Sequence, residues 1–206
     1  LVPSHAEPLG NATLEAMARA LFKAWFVDFE PVHANRENRP STSASPEIAK
    51  LFPSTLENGL PKGWQVGALK NCCLRVESGG TPSRKNAEYW LDGNIPWLTS
   101  GEVRKPIVLE TKEHISLNGY QNCNAKIWPS GTTVVAMYGA TAGEVCLLTN
   151  EISANQACCG LIPNEGFRTF LFMKISQSKE DLANKSSGSA QQNLNQSLVA
   201  TFQTIL

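Results

Sequence analysis

The sequence lacks the patterns that mark membrane-spanning, secreted and generally polyanion-binding proteins. No apolar run approaches the ~18 residues of a transmembrane helix, so no membrane partner is predicted. The first residues carry no basic segment followed by an apolar one, so no secretory signal is predicted. The formal net charge of the 206 residues is zero, so a nucleic-acid-binding surface would have to gather its cations locally. The chain does not begin with Met, which is expected of a fragment or of a tag remnant.

Signatures of catalytic sites are also missing. The chain has only three histidines, His5, His33 and His114, and they are scattered along the sequence. No P-loop, G-x-S-x-G or H-E-x-x-H pattern occurs. The Asn/Asp-Pro-Pro-aromatic tetrapeptide and the Gly-rich cofactor loop of amino-methyltransferases are absent too. These absences favour a non-catalytic binding module that uses no metal and no cofactor.

The six cysteines include no C-x-x-C pair. Cys72-Cys73 and Cys158-Cys159 are adjacent pairs within apolar stretches. Because neighbouring strand residues point to opposite faces, such a pair is a poor ligand set for one zinc ion. We interpret the cysteines as buried, reduced thiols of a cytosolic protein, with a metal site or disulfide as the alternative.

The clearest helix is predicted from Asn11, which can cap it, to about residue 29, with Pro31 expected to end it. Its apolar stripe is unusually aromatic, and a polar segment follows at once. This pattern favours contact with another helix or subunit, with ordinary core packing as the alternative. Subunit contact is predicted for Leu14, Met17, Leu21, Phe22, Trp25, Phe26 and Phe29.

The rest of the chain divides near residue 60. Residues 31–60 are predicted to be a polar connection with about one helical turn. Beyond them, short β-branched and apolar segments alternate with turns, and helical spacing returns at 167–175 and after Ser189. The predicted fold is α+β, a mixed-sheet domain preceded by a long helix. Strands are predicted at 64–69, 95–98, 114–117, 132–138, 144–148 and 158–162. A turn is predicted at Asn118-Gly119, and a helix-capping box is predicted at 189–192.

Three loops carry residue types that suit a DNA partner. Loop 79–85 has paired glycines, which let a backbone approach a partner closely, followed by hydroxyl and basic side chains that suit phosphates. A plain turn with solvated cations is the alternative. The Gly-rich turn 138–143 fits a hairpin or a close-approach surface. Asn155-Gln156 and the run 186–193 concentrate amides, which pair with adenine, although amide-rich loops are common.

Taken in order, these segments resemble the specificity subunits of Type I restriction–modification systems (HsdS). Residues 14–29 look like the end of that family's central conserved helix, and 60–64 look like the entry to its second recognition domain. The remaining similar segments, in the family's order, are 79–83, 95–97, 129–132, 139–143, 155–156 and 188–193.

The resemblance implies a division of labour. The family's subunit has two recognition domains separated by antiparallel helices, and each domain reads half of a split DNA target. The helices hold methyltransferase subunits (HsdM), which use S-adenosylmethionine, and restriction and motor subunits (HsdR) join them. This chain is then expected to be cytoplasmic in a bacterium or archaeon and to lack catalysis and a cofactor. Its expected partners are double-stranded DNA, HsdM and HsdR.

The same resemblance implies a domain layout. Residues 1–30 would end the central spacer helix, 31–60 would be a linker, 61–193 the target-recognition domain, and 194–206 an exit toward a truncated distal helix. A spacer helix without its antiparallel mate exposes apolar surface, so self-association through residues 14–29 is expected. The alternatives are a stand-alone protein-interaction domain, a solitary half-specificity protein acting as a homodimer, and a small nuclease or hydrolase.

The predicted DNA contacts fall into two groups. Backbone contact is predicted for Thr81, Ser83, Arg84 and Lys85. Contacts near base edges are predicted for Thr99, Ser100, Tyr138, Thr141, Ser187, Ser189, Gln191 and Gln192.

Overall fold

The computed structural model describes residues 6–185 and 193–206. The chain divides into two compact units, one formed by the residues up to 66 together with 205–206, and the other by residues 67–204. No helix in the described part of the chain is both long and apolar enough to cross a membrane.

The first unit begins with helix α1, Ala6–Phe26, followed by helix α2, Glu30–Arg36. Two details of the predicted helix are therefore wrong. Asn11 lies inside α1 and not at its start. Pro31 lies in the first turn of α2, where its missing N–H costs no hydrogen bond, and the break comes earlier, at Phe29, whose φ of 52° is left-handed.

Residues 31–60 are more structured than the predicted polar connection. Besides α2, they contain helix α3, Pro46–Ala49, and a hairpin of strands β1, Leu56–Glu57, and β2, Leu60–Pro61. The hairpin turn is Asn58-Gly59, and both residues have positive φ, 52° and 82°, as a two-residue type I′ turn requires.

One carboxylate organises the polar part of this segment. Glu30 accepts hydrogen bonds from the hydroxyl of Ser41, from Ser43 Oγ at 2.8 Å, from the Thr42 N–H at 3.0 Å and from Arg39 Nη1 at 2.8 Å. Burial by itself would raise the pKa of Glu30, but these hydrogen bonds together hold it well below its usual range. The serine-rich stretch therefore folds around Glu30.

Replacing Glu30 with Gln should destabilise the first unit by about 2 kcal/mol at neutral pH, because it removes charge-assisted hydrogen bonds from a side chain that is 17% exposed. Since the folded-state pKa lies below the ordinary 4.5, this contribution is fully present above that value and is lost as the pH falls through the folded pKa. Urea unfolding followed by tryptophan fluorescence should show the two proteins converging in acid. Glu57→Gln, which removes an exposed ion pair to Lys62, is the control. An equal gap at pH 7 and pH 3 would contradict the assignment.

The second unit is built mostly from strands. In chain order its strands are β3, Val66–Ala68, β4, Cys73–Ser78, β5, Ile95–Leu98, β6, Ile107–Val108, β7, Glu113–Ile115, β8, Ile127–Trp128, β9, Thr133–Ala136, β10, Val145–Leu148, β11, Ile152–Ala154, β12, Cys158–Pro163, and β13, Gln203–Ile205. Val66 of β3 and Ile205 of β13 are assigned to the first unit. Its helices are α4, Leu117–Gln121, α5, Arg168–Gln177, α6, Lys179–Lys185, and α7, Gln196–Ala200.

Two mixed sheets pack face to face in this unit. The first has the strand order β4-β12-β9-β10-β6 and the second has the order β7-β5-β11-β8. Most neighbours are antiparallel, but β10 runs parallel to β6 and β11 runs parallel to β5. Buried apolar side chains from both sheets share one core, in which the Trp128 ring lies over Gly160, where a Cβ would come within 2.6 Å of it. The predicted α+β class with a mixed sheet is confirmed.

Several local predictions need correction. Strands β4, β6, β8, β11 and β13 were not predicted. Asn118-Gly119, predicted as a turn, lies inside α4, whose first turn is capped by Ser116. The helical spacing at 167–175 is confirmed as α5, and α7 is capped by Asn195. The capping box predicted at 189–192 lies outside the described residues.

All six cysteines are free thiols. Cys72, Cys146, Cys158 and Cys159 are buried, as predicted, whereas Cys73 and Cys123 are half-buried. Burial raises the pKa of Cys146 to about 12, so this thiol is protonated and packs as a small apolar side chain.

Candidate nucleic-acid interface

The carboxyl ends of two parallel strands bring separate loops to one edge of the second unit. Strands β5 and β11 pair in parallel with Leu98 opposite Ala154. Beyond that pair, Asn155 donates its N–H to the Leu98 carbonyl at 3.0 Å, and Gly80 donates to the Ala154 carbonyl at 2.9 Å. The residues that follow each strand, and the loop after β4, therefore meet at this edge.

Two more segments join the same edge. The Thr81 hydroxyl donates to Gln156 Oε1. Met137 donates its N–H to the Ala157 carbonyl at 2.7 Å, which places the next residue, Tyr138, beside the 155–157 turn. We call the surface formed by Thr81, Thr99, Ser100, Tyr138 and Gln156 the sheet-end face.

The segment that leads out of the predicted amide-rich run is also tied to this edge. Leu194 donates its N–H to the Met137 carbonyl at 2.8 Å. Base contacts were predicted within that run, at Ser187, Ser189, Gln191 and Gln192, and these residues lie outside the described residues.

The paired glycines approach the protein's own backbone and not an outside partner. Gly79 and Gly80 are buried. A Cβ on Gly79 would lie 2.2 Å from the Asn155 carbonyl oxygen, and one on Gly80 would lie 2.4 Å from the Ala125 nitrogen. The sequence interpretation recognised the need for close approach but assigned it to the wrong partner.

Arg84 is engaged within the chain. Its guanidinium lies 3.5 Å from the centre of the Trp90 ring and 5.0 Å from that of Trp97, and it forms an ion pair with Glu113. The phosphate contact predicted for Arg84 would require these interactions to be given up. Its neighbour Lys85 is exposed and has no hydrogen bond or ion pair within the described part of the chain.

Other predicted contact residues differ in accessibility. Tyr138 is 40% exposed, and Ser83 is also exposed. Thr141 is buried, and its hydroxyl donates to the Tyr138 carbonyl at 3.2 Å. Tyr138 and Ser83, like Lys85, can therefore meet a ligand directly, whereas Thr141 supports the turn that presents Tyr138.

A carboxylate links Thr99 to an adjoining groove. Glu102 accepts hydrogen bonds from the Thr99 N–H at 3.0 Å, from the Thr99 hydroxyl at 2.8 Å and from the Lys112 N–H at 2.9 Å. The groove, of about 640 Å³, is lined by the residues from 101 to 112 other than Val103 and Pro106. Sequence reasoning missed this groove because the hydrogen bond from the Lys112 N–H to the Glu102 carboxylate joins residues that are ten positions apart in the chain.

The groove carries cations and acids. Arg104, Lys105 and Lys112 are exposed and form no ion pair within the described residues. Glu110 and Lys112 have an acid-x-Lys spacing that occurs in some nuclease metal sites. However, no group of acidic, histidine or cysteine side chains in the described part of the chain is placed to hold a metal ion.

A second, shallower cleft of about 410 Å³ opens beside Thr81. Its lining has no charged residue and is rich in amides: Gly79, Gly80, Thr81, Asn122, Cys123, Asn124 and Gln156. Gln156 is among the residues that the sequence singles out, whereas Asn122 and Asn124 are not. The high density of Asn and Gln between residues 118 and 124 is the sequence feature that could have indicated them.

The predicted subunit-contact residues fall into two sets. Leu14, Met17 and Leu21 are 65%, 56% and 41% exposed. The aromatic residues instead pack within the first unit, where Phe22, Trp25, Phe26 and Phe29 form a cluster with Phe52 and Trp64. Trp25 Nε1 also donates to the Ser43 carbonyl at 3.0 Å.

Comparison with known proteins points to one family. The model of the Type I restriction modification DNA specificity domain matches residues 61–205. The specificity subunit of the Type I restriction enzyme HindI of Haemophilus influenzae is 27% identical over 95% of this chain and 52% of its own length. The MjaIX specificity subunit of Methanocaldococcus jannaschii is 30% identical over 67% of this chain and 33% of its own. The chain thus spans about half the length, or less, of these relatives.

Solved structures share the fold. The HsdS subunit from Thermoanaerobacter tengcongensis superposes with a TM-score of 0.54 at 16% identity, covering 97% of this chain and 44% of that chain. A chain from a structure of the assembling Type I R-M system gives a TM-score of 0.56 at 17% identity, covering 100% of this chain and 48% of that one. Since the family model covers well over half of the 206 residues, the chain belongs to the family of Type I restriction modification DNA specificity domains.

Proposed function

We propose that this chain recognises one half of a bipartite DNA target through the sheet-end face. The observation that carries the proposal is the convergence of Thr81, Thr99, Ser100, Tyr138 and Gln156 at one edge of the second unit. Hydroxyl and amide groups of this kind contact base edges, and cations beside them contact phosphates. Membership of a DNA specificity family supports the same reading.

The remaining roles are proposals of the same kind. Catalysis and the S-adenosylmethionine cofactor would belong to a methyltransferase subunit, and a restriction and motor subunit would join the assembly in the cytoplasm, where the DNA is. The exposed residues Leu14, Met17 and Leu21 of α1 are proposed to contact a partner subunit or a second copy of this chain. The aromatic residues of the same helix would act indirectly, by fixing its position within the first unit.

Selection from a pool of random double-stranded DNA tests the main proposal. The 206-residue chain should enrich a short sequence motif, and its affinity should fall steeply as salt rises. Sequencing the methylome of strains that carry or lack the intact gene should recover the same motif as one half of a methylated target. Binding without sequence preference or salt dependence would favour a protein-interaction domain, and metal-dependent cleavage by the chain alone would favour a nuclease.

A further inference from the structure

The amide cleft beside Thr81 is bounded by hydrogen-bonded segments on both sides. On one side, Asn122 donates Nδ2–H to the backbone carbonyl and the side-chain oxygen of Asn118, at 2.9 and 2.8 Å. Ala125 donates its N–H to Cys123 Sγ at 3.3 Å, and the Ala125 backbone packs on Gly80. The protein's own contacts therefore stabilise the turn that carries Asn124.

Asn124 is the amide that this turn leaves free. Its side chain is exposed, and it has no hydrogen bond within the described part of the chain. Across the cleft, Gln156 Oε1 accepts a hydrogen bond from the Thr81 hydroxyl, which leaves the Gln156 amide N–H groups as donors. A free amide and an oriented amide thus line the same opening.

The residues that line the cleft favour some chemical classes of ligand over others. It contains no cation, which disfavours a phosphate or an acidic peptide, and it lacks the Arg or Lys that pairs with guanine. An Asn side chain can accept from the adenine N6 amino group while donating to N7, and this pairing requires both of its polar atoms to be free. Only Asn124 among the cleft amides meets that requirement.

We propose that Asn124 reads an adenine in the DNA target, with Gln156 contributing a second hydrogen bond to the same or the neighbouring base. This inference rests on the proposed DNA-recognition function and names its specificity-determining residue. Because the bidentate pair supplies discrimination and not general affinity, the effect of substitution is confined to one position of the target.

Random-pool selection with variants of the full chain tests this inference. Asn124→Ala should relax one adenine position of the motif, lowering its discrimination by on the order of 10- to 100-fold and leaving the other positions unchanged. Asn124→Asp keeps the shape but loses the donor, and an acidic side chain accepts from the cytosine amino group, so preference there should move toward cytosine. Asn94→Ala removes an exposed amide that does not line the cleft and should leave the motif intact.

The outcomes separate this inference from the function on which it rests. If the unsubstituted chain selects no motif, the proposed function fails. If it selects a motif that Asn124→Ala leaves unchanged, or if the relaxed position is not an adenine, the assignment of Asn124 is overturned while DNA recognition stands. Circular dichroism melting of each variant confirms that the fold is retained, which is expected because the Asn124 side chain is exposed.

Discussion

Replacing Gly80 with alanine is expected to destabilise the second unit by about 3 kcal/mol or more and to prevent its folding at physiological temperature. The added Cβ would lie 2.4 Å from the Ala125 nitrogen and 2.6 Å from the Asn124 carbonyl carbon. Both are backbone atoms, so no flexible side chain can move aside. The Gly80 N–H also bonds to the Ala154 carbonyl, which holds the loop in place on its other side.

Gly101→Ala is the matched control. Its added Cβ would have Thr99 Oγ1 at 3.9 Å as its nearest neighbour, an ordinary contact, and Gly101 is exposed. Thermal unfolding followed by circular dichroism should show little change for Gly101→Ala and a large loss of stability for Gly80→Ala. A Gly80→Ala protein as stable as the parent would show that loop 79–85 does not pack on the 124–125 backbone.

Gly79 and Gly80 show which part of the site could be predicted from the sequence and which part could not. Two adjacent glycines before hydroxyl and basic residues predict a close approach, and the structure confirms the close approach itself. The backbone that approaches them belongs to Ala125 and Asn155, about 45 and 75 positions later in the chain. Local sequence does not reveal contacts between residues so far apart. The location of the loop was thus predictable and its partner was not.

The two Asn-Gly pairs also show that a local sequence pattern does not by itself determine the local structure. Asn58-Gly59 forms a hairpin turn between short strands, although the sequence interpretation overlooked it. Asn118-Gly119 was interpreted as a turn but lies in α4, where Gly119 packs closely on Tyr89 and a Cβ would come within 2.6 Å of the Tyr89 carbonyl oxygen. A tertiary contact and the Ser116 cap decide the second case against the local preference.

The apolar stripe of α1 could be predicted from the sequence, but which of its residues are exposed and which are packed could not. Spacing alone treats Leu14 and Trp25 as equivalent members of one apolar face. The structure leaves Leu14 exposed and packs Trp25 against Phe52, because residues 31–60 fold back over the second half of the helix. Predicting this would have required recognising that the polar segment folds around Glu30.

Replacing the groove cations Arg104, Lys105 and Lys112 together with Gln should weaken DNA binding by a similar factor for every sequence. Each lost phosphate contact lowers the slope of log K against log salt by roughly 0.9, so the triple variant should lose roughly 2.7 if each cation meets one phosphate. These cations line the groove that is linked to Thr99 through Glu102, and none of them has an ion pair in the described part of the chain. They are better placed for this role than Arg84, whose guanidinium is already paired.

Titration of a fluorescent duplex at several salt concentrations measures this slope. Lys70→Gln, an exposed cation that does not line the groove, should leave it unchanged. The motif recovered from random-pool selection should be the same for the triple variant and the parent, because phosphate contacts set register and affinity while base contacts set sequence. A changed motif with an unchanged slope would mean that these cations contact bases and not the phosphate backbone. An unchanged slope and motif would place the groove outside the DNA interface, and Glu102 would then serve only to hold Thr99 in position.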